Sequence, residues 1–142
     1  MRSTRLIAAL LLTALLPPAT VSSSAAAEKT ETKREIFCVE APNRHHLCAN
    51  GKEVGDTNKF VAYGRVSTYT DKRIKIQRRA CGTCDWRFYK RIRTSADEGR
   101  FRTQIEAGLR VPSRICYRVV VPETRKYRTT RLMAGCIVRE KT

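Results

Sequence analysis

Six cysteines, Cys38, Cys48, Cys81, Cys84, Cys116 and Cys136, constrain this 142-residue chain more than any other feature. None lies in the first 37 positions. An even set admits a full disulfide framework, and the spacing alone leaves its connectivity open. Whether such a framework forms depends on the compartment, and the N-terminus speaks to that. Arg2 and Arg5 precede the uncharged run Leu6–Leu16, which Pro17 and Pro18 end. Small residues follow from Ser22 to Ala27, with Ala25-Ala26-Ala27 at the close. This is the three-part pattern of a secretory signal, with cleavage expected before Glu28. A membrane anchor would need roughly 20 apolar residues, and this run is shorter. The expected organisation is a signal peptide over 1–27, a polar arm over 28–36 (EKTETKREI), and one disulfide-rich β domain over 37–142. Lys33-Arg34 fits a dibasic processing site, but a solvated arm is the simpler reading in so basic a chain. No second apolar stretch follows, so no integral membrane segment is expected after signal removal.

Charge is the second constraint. The chain carries 29 Lys+Arg against 13 Asp+Glu, a formal net charge of +16. Removing 1–27 takes away Arg2 and Arg5 and no acid. Arginine pairs bidentately with sulfate, phosphate and carboxylate. A balance this positive favours a polyanionic partner: heparan sulfate, nucleic acid or an anionic membrane.

The hydropathy pattern reads as strands. Phe60 to Tyr69 is rich in Val, Tyr, Phe and Thr. In 73–77, Ile74 and Ile76 take one face while Arg73, Lys75 and Gln77 take the other, the period of a half-buried strand. Farther on, Trp86, Phe88 and Ile92 are expected on one face, with Arg87, Tyr89, Arg91 and Arg93 opposite. Phe101, Thr103 and Ile105 alternate with Arg102 and Gln104, although 101–109 would also suit a short helix. Ser95–Gly99 is a turn candidate, so 86–93 and 100–106 are expected to form a hairpin. In the next strand Ile115, Tyr117, Val119 and Val121 alternate with Cys116, Arg118 and Val120. A turn near 122–126 leads to a return strand over 127–138. Turn formers dominate 38–58. There Asn50-Gly51 is a tight-turn signal, and Cys38 and Cys48 staple the region to the core or to each other. The fold class expected is mainly β: a small, disulfide-stabilised domain of antiparallel hairpins.

No catalytic constellation stands out. His45 and His46 are the only histidines and sit side by side in a loop. They are expected to face solvent rather than face each other across a phosphate, as a pancreatic-type ribonuclease would require. That family's Cys-Lys-x-x-Asn-Thr-Phe signature is missing as well. Cys81-Gly82-Thr83-Cys84 is a CxxC between β-like runs rather than at a helix start, which favours a structural disulfide over redox work or zinc. There is no Gly-rich phosphate loop, no Gly-x-Ser-x-Gly and no carboxylate pair, so no enzyme activity and no cofactor are expected.

Binding residues come in three basic segments. The first holds Arg65, Lys72, Arg73, Lys75, Arg78 and Arg79. The second holds Arg87, Lys90, Arg91 and Arg93, interleaved with Trp86, Phe88 and Tyr89. The third holds Arg125, Lys126, Arg128 and Arg131. If their strands are neighbours, the outward faces make one positive sheet. Aromatics between cations permit base stacking, but Trp86 and Phe88 are expected in the core. Sulfated glycans rank first among the polyanions outside a cell.

Residues 78–139 resemble the cystine-knot cytokines of the interleukin-17 and Spätzle-like groups. Three stretches carry the resemblance. Asp85-Trp86-Arg87-Phe88 precedes the run 100–107, which ends in Glu106-Ala107. Ile115–Val120 is similar to a knot strand. Leu132–Val138, with Gly135-Cys136, is similar to the closing strand. The chain departs from the family in three places: Cys136 lacks the second cysteine of Gly-Cys-x-Cys, Cys-Gly-Thr-Cys replaces Cys-x-Gly-x-Cys, and no cysteine follows Ala107. The resemblance implies a cystine-knot-like fold with hairpin fingers, a homodimer and a cell-surface receptor. Tyr, Trp and Arg are enriched at such interfaces, which makes Tyr89, Arg91 and Tyr127 the exposed contact candidates. A cationic defence protein or toxin acting on anionic membranes or nucleic acid is the alternative, although no strongly amphipathic cationic helix is visible.

Overall fold

The computed structural model describes residues 36–141. The expected signal peptide at 1–27 and nearly all of the expected arm at 28–36 lie outside the described residues.

Eight strands carry the fold: β1 (Phe37–Val39), β2 (Leu47–Glu53), β3 (Phe60–Val66), β4 (Arg73–Arg79), β5 (Arg87–Arg93), β6 (Arg100–Ile105), β7 (Ser113–Val121) and β8 (Thr130–Arg139). They form two antiparallel sheets, one in the order β1-β2-β3-β6 and the other in the order β5-β4-β7-β8. The inward residues of both sheets make one core. Leu47, Ala49, Ala62, Val66, Phe101 and Ile105 come from the first sheet, and Ile74, Ile76, Tyr117, Val119, Val121 and Ile137 from the second. The alternation read from 73–77 holds, with Ile74 and Ile76 both fully buried.

The chain changes sheet between β3 and β4, between β5 and β6, and between β6 and β7. From β2 onward the order is similar to that of immunoglobulin-like sandwiches, except that β5 stays beside β4 and does not join the β2-β3-β6 sheet, and β1 is added at one edge. The expected hairpin of 86–93 with 100–106 is therefore corrected. β5 pairs with β4, and β6 pairs with β3 in the opposite sheet. The final hairpin does form, as β7 with β8. Asn50-Gly51 is not a turn but lies inside β2. The glycine is needed there for close approach, because a Cβ would sit 2.9 Å from the Ala134 carbonyl oxygen of β8. Gly64 meets the same demand in β3, where a Cβ would fall 2.8 Å from the Phe101 ring, which takes up that space.

Tyr117 locks the crossing from β6 to β7. Its hydroxyl donates to the Glu106 carbonyl at 2.6 Å and accepts from the Glu106 N–H at 3.1 Å. The ring is fully buried, with Tyr89 packed edge-on at 5.4 Å.

The disulfides are Cys38–Cys48, Cys81–Cys84 and Cys116–Cys136. The first joins directly opposite residues of β1 and β2, the third directly opposite residues of β7 and β8. The second closes the short loop between β4 and β5. The pairs follow one another along the chain and none encloses another. The interleaved ring of a cystine knot is thus not formed, and two packed sheets stand where hairpin fingers were expected. All six sulfurs are consumed as disulfides, so the CxxC offers zinc no thiolate. Cys84 is exposed while Cys116 is buried. Limited thiol reductant followed by alkylation and mass spectrometry is expected to label Cys81 and Cys84 first, with Cys116 and Cys136 protected until the fold opens. Equal labelling of both pairs would contradict this burial order.

His45 corrects another expectation, for it is buried. Its Nε2 donates to the Pro122 carbonyl at 2.9 Å, which leaves Nδ1 to accept from the Thr68 hydroxyl at 3.1 Å. Tyr69 and Tyr127 pack on the ring at 5.1 and 4.9 Å. His46 is half-buried beside Glu40, 3.0 Å away. Burial, aided by the nearby Lys72 charge, lowers the His45 pKa below the ordinary 6.5 against the Pro122 bond, which raises it. The unfolded chain therefore binds the proton more readily. Stability from this site is full above pH 6.5 and falls as the pH drops below it toward the folded value. Urea unfolding of wild type should weaken from pH 8 to about pH 5, and His45→Gln should be less stable at pH 8 with a shallower pH slope. Equal slopes for the two proteins would remove His45 from the account.

Candidate functional site: a cationic sheet face

The register of β5-β4-β7-β8 decides which side chains share the outer face of that sheet. Directly opposite residues on neighbouring strands point the same way. Arg93 of β5 lies beside Arg73 of β4. The next outward row runs Arg91, Lys75, Val120, Arg131. Below it come Phe88, Gln77, Arg118 and Met133, then Arg79, Cys116 and Cys136. Trp86, just ahead of β5, reaches back over this last region. Its ring centre is 4.7 Å from the Arg79 guanidinium carbon and 4.4 Å from that of Arg118. No acid occupies any of these outward positions. The face spans about 14 Å across the strands and about 20 Å along them. Neighbouring cations sit within a Debye length, about 8 Å at physiological salt, so their potentials add.

One carboxylate forms an ion pair at the rim, and a second, Asp85, lines a cleft with Arg79 at the far end. Arg93 Nε donates to Asp71 Oδ1 at 2.7 Å, in the turn before β4. That bond and charge hold the Asp71 carboxyl below its ordinary pKa. Both groups are exposed, so the pair adds little to stability.

A bulge places Phe88 on this face. Gln77 pairs with Phe88 and Ile76 with Lys90, so Tyr89 is an extra residue of β5. One inserted residue reverses the side on which the following side chains emerge. Phe88 therefore joins Arg91 and Arg93 outside, 58% exposed, rather than sharing the core with Ile92. Arg91 stacks over it at 5.9 Å. Trp86 also leaves the core for the Arg79–Arg118 region. Tyr89 turns inward against Tyr117, so it is not the exposed contact residue that was expected, and Arg78 covers its ring at 5.2 Å. Burial raises the Tyr89 pKa, with Tyr117 the next cause.

The candidate cations thus separate. Arg73, Lys75, Arg79, Arg91 and Arg93 share the outer face. Arg78 and Arg87 oppose each other on the other side of the sheet. Arg125, Lys126 and Arg128 lie in the β7–β8 connection at the Arg73 end, where Arg128 N–H donates to the Asn43 carbonyl at 2.8 Å. Tyr127 belongs there too, packed on His45. Arg131, from the third basic segment, and Arg118, which was in none of the three, complete the face. The signal for Arg118 was present in its alternation with Cys116 and Val120, opposite the core residues of β7.

A cleft of about 770 Å³ opens at the Cys81 end of the sandwich, lined mostly by apolar groups including Leu109, Pro112, Ile115 and Val138. Glu140 is its one acid, so it offers no carboxylate pair. Among the described residues, no group of three or more His, Cys, Asp or Glu side chains could hold a metal ion. No described helix is long and apolar enough to cross a membrane. No family model, no curated protein and no solved structure matches this chain.

Proposed function

We propose that this chain is a secreted, non-enzymatic protein that binds sulfated glycans through the outer face of the β5-β4-β7-β8 sheet. The observation that carries this reading is the cluster of Arg73, Lys75, Arg79, Arg91, Arg118 and Arg131 on adjacent strands, with no carboxylate among the outward positions. Such a surface repels itself, and a polyanion relieves that repulsion while guanidinium forks engage its sulfates. Three disulfides suit the oxidising compartment that the leader implies.

Sulfated glycans are favoured over nucleic acid by the state of the aromatic rings. Base binding needs open rings at successive positions. Here Trp86 is engaged by two guanidinium groups and Phe88 by that of Arg91, so the face offers no run of open rings. The receptor-ligand expectation rested on a knotted dimer of hairpin fingers, and the sequential disulfides withdraw that support. Membrane disruption by a cationic helix has no counterpart among the described residues, whose elements are all strands.

Salt elution from immobilised heparin tests the reading. Retention well above the roughly 0.15 M of physiological salt is expected, with log affinity falling linearly in log salt. Elution at or below physiological salt would overturn it, and leakage of anionic vesicles at low protein concentration would favour the defence reading instead.

A further inference from the structure

Arg79 and Arg118 differ from the other cations of the face. Both are half-buried, and both lie against the same tryptophan ring. Arg118 Nε donates to Gln77 Oε1 at 2.7 Å, which fixes its fork and leaves its outer N–H groups to other partners. Arg79 Nε is buried with no hydrogen-bond partner. The ion pairs of the described residues involve neither side chain. Burial, then the charges of Arg131 and Arg79, push the Arg118 guanidinium below its ordinary pKa. Two half-buried cations against one ring, with no acid in ion-pair contact with either, are costly, and a bound anion offsets that cost.

We propose that Arg79 and Arg118, braced by Trp86 and Gln77, form a discrete oxyanion site that takes one sulfate group of the glycan. The inference rests on the sulfated-glycan reading and deepens it: one sulfate is held by geometry, and the remaining cations act through their summed field. Arginine forks match the flat array of acceptors on a sulfate face, whereas a lysine ammonium supplies only a point charge.

Trp86 is the only tryptophan of the chain, so it reports on its own site. Inorganic sulfate is titrated into the full protein at constant ionic strength, with chloride as the balancing ion, while Trp86 emission is recorded. A saturable change is expected. Arg79→Gln and Arg118→Gln should each weaken it at least tenfold, and Arg118→Lys should weaken it nearly as much although the charge is kept. Arg125→Gln should leave it unchanged. Unchanged far-UV circular dichroism and melting temperature establish that the variants fold. The same titration with an octasaccharide of heparin should saturate at lower concentration than with a single-stranded oligonucleotide of equal charge.

A change that tracks ionic strength alone, or one that persists in both Gln variants, overturns the site. So does tighter capture of the oligonucleotide, which would assign the site to phosphodiesters. The two proposals separate cleanly. Heparin retention without a Trp86 response removes the oxyanion site and leaves the glycan-binding face. A Trp86 response lost in both Gln variants, without heparin retention, leaves an anion site and removes the glycan.

Discussion

Tyr117→Ala is expected to cost the fold more than any other single substitution in this sandwich. The ring is fully buried between the sheets, and its hydroxyl holds both backbone groups of Glu106. Truncating a buried aromatic costs about 3–5 kcal/mol, against a total of roughly 5–15 kcal/mol for a domain. The variant should be recovered largely unfolded or with a sharply lowered urea midpoint. Tyr117→Phe isolates the hydroxyl bonds from the packing. It keeps the ring and strands the Glu106 N–H and carbonyl, for about 1–3 kcal/mol. Glu106 is an exposed residue, so water can take part and the lower end of that range applies. A Phe variant as stable as wild type would show that the hydroxyl bonds contribute nothing net.

The largest functional effect is expected from reversing charge on the face. Arg79→Glu, Arg91→Glu and Arg118→Glu together place acids in three successive outward rows. The triple variant should lose heparin retention at physiological salt, and its salt dependence should be shallower because fewer ions are exchanged on binding. Arg125→Glu, Lys126→Glu and Arg128→Glu change net charge by the same amount at the β7–β8 connection. That variant should keep most of its retention. Equal losses in the two triples would mean that net charge, not the face, governs binding.

What could be read in advance follows from the range of the forces involved. Local alternation revealed β4 and β7, because Ile74, Ile76, Tyr117, Val119 and Val121 repeat with the period of the pleat. The β7–β8 hairpin was legible for the same reason, since turn formers in the 122–129 connection separate two strands adjacent in the chain. Pairing between β3 and β6 was not. Chain neighbours usually pair, and only the need to bury two sheets against each other sends β6 across. The side on which β5 residues emerge was hidden by one unpaired residue, Tyr89, which no periodicity announces. That single residue moved Phe88 out, turned Tyr89 in, and changed the composition of the candidate site. Asn50-Gly51 carried a strong hairpin signal, but the approach of β8 claimed the glycine for a strand. His45 looked solvated because Thr68, Pro122, Tyr69 and Tyr127 reach it from distant parts of the chain. The basic segments were legible as composition, and their gathering on one face emerged from the register of four strands.

The central claim is that one face of one sheet meets the polyanion. Backbone amide chemical shifts recorded while a heparin octasaccharide is titrated into the labelled protein test it most directly. The predicted result is that shifts concentrate at Arg73, Lys75, Arg79, Arg91, Arg118 and Arg131, with the Trp86 indole N–H among the first to move. Changes centred instead on Arg125, Lys126 and Arg128, or spread evenly over every basic residue, would contradict it.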